Sequence, residues 1–142
     1  MTGDLSDREY LALARFRHAL RLFLRVSEDA ARAEGLTPSQ HQLLLAIRGY
    51  PGDGPPSTSE AAEMLQQRVH SVVELVQRAE EAGVVARRSD PADGRRQLLA
   101  LTPAGTRTLA RLSRFHRAEL RRFRREMVDV LQELETEPAR DS

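Results

Sequence analysis

One change of hydrophobic period constrains the fold of this chain more than any other feature. Apolar residues recur at helical spacing on both sides of residues 84–101, but inside that stretch two short runs suit β-strands. The runs are 84–89 and 97–101, and the intervening residues 90–96 are rich in turn formers. We therefore expect a mainly α fold that carries one small β-hairpin.

Start and stop signals divide the rest of the chain into helices. Ser6 with Glu9 and Ser57 with Glu60 have capping-box spacing, in which each side chain satisfies a free backbone donor. Thr37-Pro38 and Thr102-Pro103 place a cap before a proline in the first turn. Five helices are predicted: from Ser6 to about Gly35, from Thr37 to Gly49, from Ser57 or Thr58 to about Leu65, from just after Arg68 to Gly83, and from Thr102 onward. The last continues into a final helical segment marked by Met127, Val130, Leu131 and Leu134, and residues 135–142 should fray.

Several classes of function are excluded by what the sequence lacks. The chain has no cysteine, so disulfides, Cys–zinc sites and thiol redox sensing are excluded. Its four histidines are dispersed without metal-site spacing, and no nucleophile motif, phosphate-binding glycine loop or paired carboxylates occur. We expect no enzyme, no cofactor and no metal. The N-terminus does not resemble a signal peptide and no run suits a membrane span, which predicts a soluble cytoplasmic protein.

The basic residues are all arginine, 22 of them, although the net charge is only +1. Arginine offers a planar fork of donors that suits phosphates and guanine edges. Codon usage in a GC-rich genome explains the missing lysine better. For DNA binding the local distribution of charge matters more than the total.

The order of elements is helix, helix, short helix, tight turn, helix, hairpin and long helix. A short helix that turns into an amphipathic one is a helix-turn-helix, whose second helix enters the major groove of DNA. A hairpin directly after it is a wing, which can reach neighbouring phosphates or the minor groove. The sequence therefore predicts a winged helix-turn-helix that binds double-stranded DNA.

Several stretches resemble the MarR (multiple antibiotic resistance regulator) family. They are Gly35-Leu36-Thr37-Pro38 with Gln40, Ser59-Glu60-Ala61-Ala62 with Leu65, Val72 with Leu75-Val76 and Arg78, Gly83-Val84-Val85, Asp90-Pro91-Ala92-Asp93-Gly94-Arg95-Arg96 and Leu101-Thr102-Pro103-Ala104-Gly105. The wing segment and the Leu-Thr-x-x-Gly exit are the most specific of these. The resemblance implies one MarR-like domain over 1–142, with dimerisation helices at 1–35 and 104–137 and a DNA-binding lobe at 36–103.

The resemblance also implies a function. We expect a homodimeric transcriptional regulator, usually a repressor, that binds a pseudo-palindromic operator and is released by a small anionic or phenolic ligand. Two alternatives stay open: a DNA-binding module that senses no ligand, and a helical protein-interaction domain that uses the arginine-rich stretch 111–125. That stretch otherwise reads as a solvated face with helix-spaced partners, or as a set of pairs across a dimer.

Candidate DNA-binding residues lie on the helix-turn-helix and the wing. They are Thr58, Arg68, His70, Ser71, Gln77, Arg88, Asp93, Arg95 and Arg96. In the family, an Asp-x-Arg pattern places an arginine in the minor groove, and here it corresponds to Asp93 and Arg95. We expect Asp93 to orient Arg95 through a charge-assisted hydrogen bond. A solvated hairpin is the alternative for the wing, above all for Arg87 and Arg96.

Two departures from the family pattern concern the target sequence. Gly94 replaces a common basic residue at the wing tip, and Glu74 stands where basic or polar residues are usual. His41 and His116 are candidates to line a ligand pocket between the dimerisation helices and the lobe, with ordinary core packing as the alternative.

Overall fold

A computed structural model describes residues 3–135, which form five helices and one two-stranded hairpin. The elements are α1 (Asp7–Ala33), α2 (Pro38–Arg48), α3 (Thr58–Leu65), α4 (Val69–Glu81), β1 (Val85–Ser89), β2 (Gln97–Leu101) and α5 (Pro103–Glu135). This confirms the predicted fold class. No helix in the described range is long and apolar enough to cross a membrane.

The helices begin where the capping signals predict. The carboxylates of Glu9 and Glu60 accept hydrogen bonds from the backbone N–H groups of their cap residues, Ser6 and Ser57, at 2.7 and 3.0 Å. The Thr37 hydroxyl accepts from the N–H of Gln40, whose side chain bonds back to the Thr37 N–H, so α2 also begins with a capping box. These short-range bonds fix each start within three residues of sequence.

The long last helix and the final helical segment predicted from the sequence form one continuous helix. α5 runs without interruption from Pro103 to Glu135. No glycine or proline occurs between residues 106 and 135, so neither usual cause of a break is present. Of the stretch 135–142 that was predicted to fray, Glu135 is helical, and 136–142 lie outside the described residues.

Residues 30–113 pack as one compact unit, which we call the lobe. It holds α2, α3, α4 and the hairpin, together with the last turn of α1 and the first turns of α5. Its core includes side chains with almost no exposed surface, namely Leu43, Leu44, Val72, Val76, Leu99 and Leu112. The DNA-binding lobe expected at 36–103 from the family resemblance lies within this unit, and its bounds stay a prediction.

The base of the hairpin is locked to the start of α5 by the Leu-Thr-x-x-Gly exit. The Thr102 hydroxyl donates to the Gly83 carbonyl at 2.6 Å and accepts from the Gly105 N–H at 3.0 Å. The backbone of Gly105 lies so close to Val84 that a Cβ there would come within 2.0 Å of the Val84 carbonyl oxygen. Only glycine fits at position 105, which gives this motif a structural reason.

The hairpin is extended by a short contact that the sequence did not predict. β1 and β2 pair antiparallel from Val85 opposite Leu101 to Ser89 opposite Gln97. On the other edge of β2, Leu98 forms an isolated bridge with Ser57, and the Leu99 N–H donates to the Pro56 carbonyl at 2.9 Å. The end of the loop before α3 is thus fixed to the hairpin.

The second compact unit, which we call the helical unit, is described over residues 3–29 and 114–135. Within it α1 and α5 run antiparallel, because Arg8 pairs with Glu133 at one end and Ser27 with His116 at the other. Its core is small, built on Ala12, Ala19, Met127 and Val130, with Phe16, Phe123 and Leu134 packed against them.

Candidate nucleic-acid interface

The turn between α3 and α4 is tight because one residue adopts a left-handed conformation. Gln66 has φ 53°, the only positive φ of a non-glycine residue in the described chain. Its backbone N–H bonds to the carbonyls of Ala62 and Glu63, and its side chain donates to the Glu63 carbonyl at 2.8 Å. The Gln67 N–H also bonds to Ala62, at 3.0 Å. These bonds end α3 and let α4 begin three residues later.

α4 is attached to the lobe by one face and exposes the other. Val72, Leu75, Val76 and Ala79 recur at helical spacing and are buried. The opposite face exposes polar side chains over its whole length, namely His70, Glu74, Gln77 and Glu81. The arrangement is that of a helix able to insert its polar face into a groove of a partner.

The predicted residues of the helix-turn-helix gather mainly at the N-terminus of α4. Arg68 is its N-cap residue, with an exposed side chain that makes no capping bond. His70 in the first turn is exposed and Ser71 is half-buried, and Gln77 lies two turns along on the exposed face. Thr58 is half-buried at the first residue of α3. The free N–H groups and positive end of the α4 dipole add to the attraction for an anion here.

The tip of the hairpin is shaped by two aspartates that bond to the backbone. Asp90 accepts from the Ala92 N–H at 2.9 Å, and Asp93 accepts from the Arg95 N–H at 3.0 Å. The Asp93 carboxylate thus holds the main chain of Arg95, not its guanidinium. Residues 91–96 are all exposed, so the turn presents the side chain of Arg95 to solvent.

Two of the four arginines of the hairpin form ion pairs with other residues of the described chain, and two do not. Arg96 reaches Glu60 on α3 at 2.5 Å and Asp90 at 3.5 Å, and Arg87 pairs with Glu80 on α4 at 2.8 Å. Within residues 3–135, the guanidinium groups of Arg88 and Arg95 make no ion pair. Arg88 and Arg95 are therefore available to a partner, whereas Arg87 and Arg96 hold the hairpin to the helices.

The capping-box spacing identified Glu60 as a capping residue, but it did not indicate that Glu60 also contacts the loop before α3 and the hairpin. Its carboxylate accepts hydrogen bonds from the Ser57 N–H, the Tyr50 hydroxyl and the Arg96 guanidinium. One side chain thus joins the loop before α3, the start of α3 and the wing. Arg96 is 36 residues away in sequence, so no local spacing signals the contact.

The two ligand candidates lie in different units. His41 on α2 is buried in the lobe, 4% exposed. His116 on α5 is half-buried in the helical unit, where its Nε2 lies 2.6 Å from the Ser27 hydroxyl and its ring meets Phe23 and Phe115 edge-on. Both positions are compatible with ordinary packing.

Comparisons with known proteins agree on one family. Residues 34–96 match the sequence profile of the MarR family. A protein proposed to regulate transcription of the hcr operon in Thauera aromatica is 32% identical over 96 residues, which cover 68% of this chain and 56% of that protein. The chain thus spans little more than half the length of the curated relative that it matches.

Solved structures show the same fold. AbsC, a MarR family transcriptional regulator from Streptomyces coelicolor, is 26% identical with a TM-score of 0.70, over 86% of this chain and 82% of its own. Another MarR family transcription regulator is 25% identical with a TM-score of 0.72, over 82% and 76%. MepR of S. aureus, in complex with DNA, is 19% identical with a TM-score of 0.65, over 83% and 82%.

Proposed function

From these similarities we infer that the chain belongs to the MarR family of transcription regulators, and we propose that it binds an operator in double-stranded DNA as a homodimer. One observation carries the proposal. The exposed polar face of α4 is followed directly by a hairpin that presents Arg88 and Arg95 without internal partners in the described chain. A helix of this kind suits the major groove, and an unpaired arginine on a wing suits phosphates or a narrow minor groove.

The distribution of charge on the lobe supports contact with DNA. Arg68, His70 and Ser71 offer donors at the first turn of α4, and Arg95 offers a planar fork at the wing tip. The MepR structure with DNA shows that a protein of this fold binds DNA. We propose that Arg68 and Ser71 contact bases, that Arg95 enters the minor groove and that Arg88 contacts phosphate, with Thr58, His70 and Gln77 as further contacts.

The helical unit supports self-association. Its core buries few side chains, yet it exposes many large apolar ones: Leu5, Tyr10, Leu11, Leu13, Leu22, Leu24, Phe115, Leu120, Val128 and Leu131. Exposed apolar surface of this extent marks an interface. We propose that it pairs with the same surface of a second copy, so that two lobes read a pseudo-palindrome.

Repression and release by a ligand complete the proposal. A crevice of about 110 Å³ in the helical unit is lined by Phe23 and Phe123, with Arg122 among its lining residues. His116 meets Phe23 edge-on. The aromatic walls suit a small phenolic molecule better than an anionic one, because Arg122 is paired with Glu119 and Glu126 adds a second carboxylate to the lining. His116 is a candidate contact. His41 remains a second candidate on the lobe.

The test is binding to DNA at several salt concentrations. Fluorescence anisotropy would compare a duplex from the chain's own upstream region with a random duplex of equal length. We expect the upstream duplex to bind roughly 10³-fold or more tightly. The logarithm of affinity should fall with log salt by about 0.9 per phosphate contact.

Two outcomes would count against the proposal. Equal affinity for both duplexes would show that binding is not sequence-specific. An affinity that does not change with salt would show that the arginines do not contact phosphates. A helical protein-interaction domain would give no binding to either duplex. Addition of small phenolic molecules to the bound complex separates a ligand-released regulator from one that senses no ligand.

A further inference from the structure

A carboxylate stands in the middle of the exposed face of α4. Glu74 is the sixth of the 13 residues of this helix and is exposed. It lies on the side opposite the buried Val72 and Val76, with His70 one turn before it and Gln77 one turn after. If α4 enters the major groove as proposed above, Glu74 faces the edges of the bases.

The carboxylate of Glu74 also has no ion-pair partner in the described chain, unlike the carboxylates that hold the wing. Glu60 pairs with Arg96, and Glu80 pairs with Arg87. Arg78 is four residues after Glu74, in the order that favours a helix ion pair. Across residues 3–135, however, the carboxylate of Glu74 makes neither an ion pair nor a hydrogen bond. Its carboxylate therefore keeps its full capacity to accept hydrogen bonds from a partner.

A free carboxylate in this place is unfavourable next to DNA unless it finds a donor. Phosphates repel it, and most groups on the edges of the major groove are acceptors that repel it as well. The amino groups of cytosine and adenine are the donors there. In an A·T pair the amino group of adenine lies between two acceptors, adenine N7 and thymine O4, whereas in a G·C pair the N4 amino group of cytosine has an acceptor, guanine O6, on one side only. Cytosine is thus the base that best suits a carboxylate.

We propose that Glu74 is a specificity-determining residue that accepts a hydrogen bond from the N4 amino group of one cytosine in each operator half-site. This assignment rests on the proposed function and extends it to the sequence that is read. Glu74 thereby discriminates between base sequences and lowers the affinity for DNA in general, because its charge weakens binding to every duplex that lacks the cytosine.

The experiment measures the affinity of the wild-type protein and of Glu74→Ala for a series of operator duplexes, each with one base pair replaced. For the wild type, one position of the half-site should lose roughly 5- to 150-fold in affinity when its cytosine becomes thymine, which presents an acceptor instead of the amino group. In Glu74→Ala this loss should disappear at that position alone, while affinity for random DNA rises.

Glu81→Ala is the matched control. Glu81 is the last residue of α4, exposed about 10 Å further along the helix than Glu74 and beyond the N-terminal part with which such a helix reads bases. It also makes no ion pair within residues 3–135. Its removal deletes the same charge and should leave the profile of base preferences unchanged. An unchanged profile in Glu74→Ala, with operator binding intact, would overturn the assignment. A wild-type protein that prefers no duplex over random DNA would instead overturn the proposed function, and the assignment with it.

Discussion

At the scale of single residues, two neighbouring arginines differ in what they contact. Arg95 extends from a turn whose main chain is held by Asp93, and its guanidinium has no ion pair in the described part of the chain. Arg96 points back to Glu60 and Asp90. Identical side chains one position apart are thus suited to different tasks, one to contact with DNA and the other to the attachment of the wing.

Arg95→Ala should weaken operator binding and leave the protein folded. A good groove contact is worth about 1–3 kcal/mol, and truncation of an exposed side chain at a turn removes no core packing. Fluorescence anisotropy on one operator duplex, with thermal melts alongside, measures both quantities. Asp93→Ala should cause a smaller loss, because the wing turn loosens but the guanidinium still finds phosphates. Unchanged affinity in a folded Arg95→Ala protein would show that this wing does not reach the DNA.

Arg96→Ala should reduce the stability of the fold more than it reduces operator affinity. It removes a half-exposed ion pair to Glu60, so the free energy of unfolding should fall by about 0.5–1 kcal/mol. Operator affinity should fall less than in Arg95→Ala. Chemical denaturation checks the first effect, and anisotropy the second. If Arg96→Ala lost more affinity than Arg95→Ala at unchanged stability, Arg96 would be the direct contact.

At the scale of elements, the helix starts were predictable and several long-range contacts were not. Capping boxes such as that of Ser57 and Glu60 lie within three residues, so the sequence displays them directly. The bond between Leu99 and Pro56 joins residues far apart, and the proline-rich loop carries no strand pattern. The sequence predicted a long helix that continues into a final helical segment, and the absence of glycine and proline between residues 106 and 135 agrees with the single helix α5.

Among candidate site residues, the sequence placed Arg68, His70 and Ser71 at the start of α4 because helix order alone locates a recognition helix. It singled out Arg95 through the Asp-x-Arg pattern of the family and left solvent exposure open for Arg96, but it gave no physical reason for a difference between the two. Their difference depends on Glu60, which only the folded chain brings near. The assigned contacts with DNA stay predictions.

Gln66→Gly should stabilise the helix-turn-helix. A non-glycine residue in the left-handed region costs about 1–2 kcal/mol, and the larger entropy loss of glycine on folding offsets about 0.5–1 kcal/mol of the gain. We expect the free energy of unfolding to rise by up to about 1.5 kcal/mol in urea denaturation. Gln67→Gly is the control, since Gln67 lacks a positive φ and glycine there should destabilise. A less stable Gln66→Gly protein would mean that the side-chain bond to Glu63 outweighs the backbone strain.

At the scale of the whole molecule, the exposed apolar side chains of the helical unit predict a dimer. The double variant Leu120→Gln, Leu131→Gln changes side chains that are 50% and 52% exposed, so each protomer should still fold. Light scattering after gel filtration should show dimers for the wild type and monomers for the variant at micromolar concentration. Operator affinity should fall with the loss of the dimer, because two half-sites are no longer read together.

Leu45→Gln serves as the control for this experiment. Leu45 is 48% exposed on α2 of the lobe, so the same substitution there changes polarity without touching the helical unit. It should leave the mass in solution unchanged. A monomeric wild type that binds its operator with full specificity would contradict the dimer, and so would a double variant that stays dimeric.

The loop between α2 and α3 is fixed at both ends, and this limits where the chain tolerates added length. Tyr50 bonds to Glu60 near the beginning of the loop, and Pro56 bonds to Leu99 at its end. Residues 51–55 between them are exposed. Each doubling of loop length costs only about 0.6 kcal/mol, so a peptide tag inserted at Gly54, where a Cβ would meet nothing within 4 Å, should be accepted. The same insertion next to Tyr50 or Pro56 would detach the loop from α3 or from the hairpin.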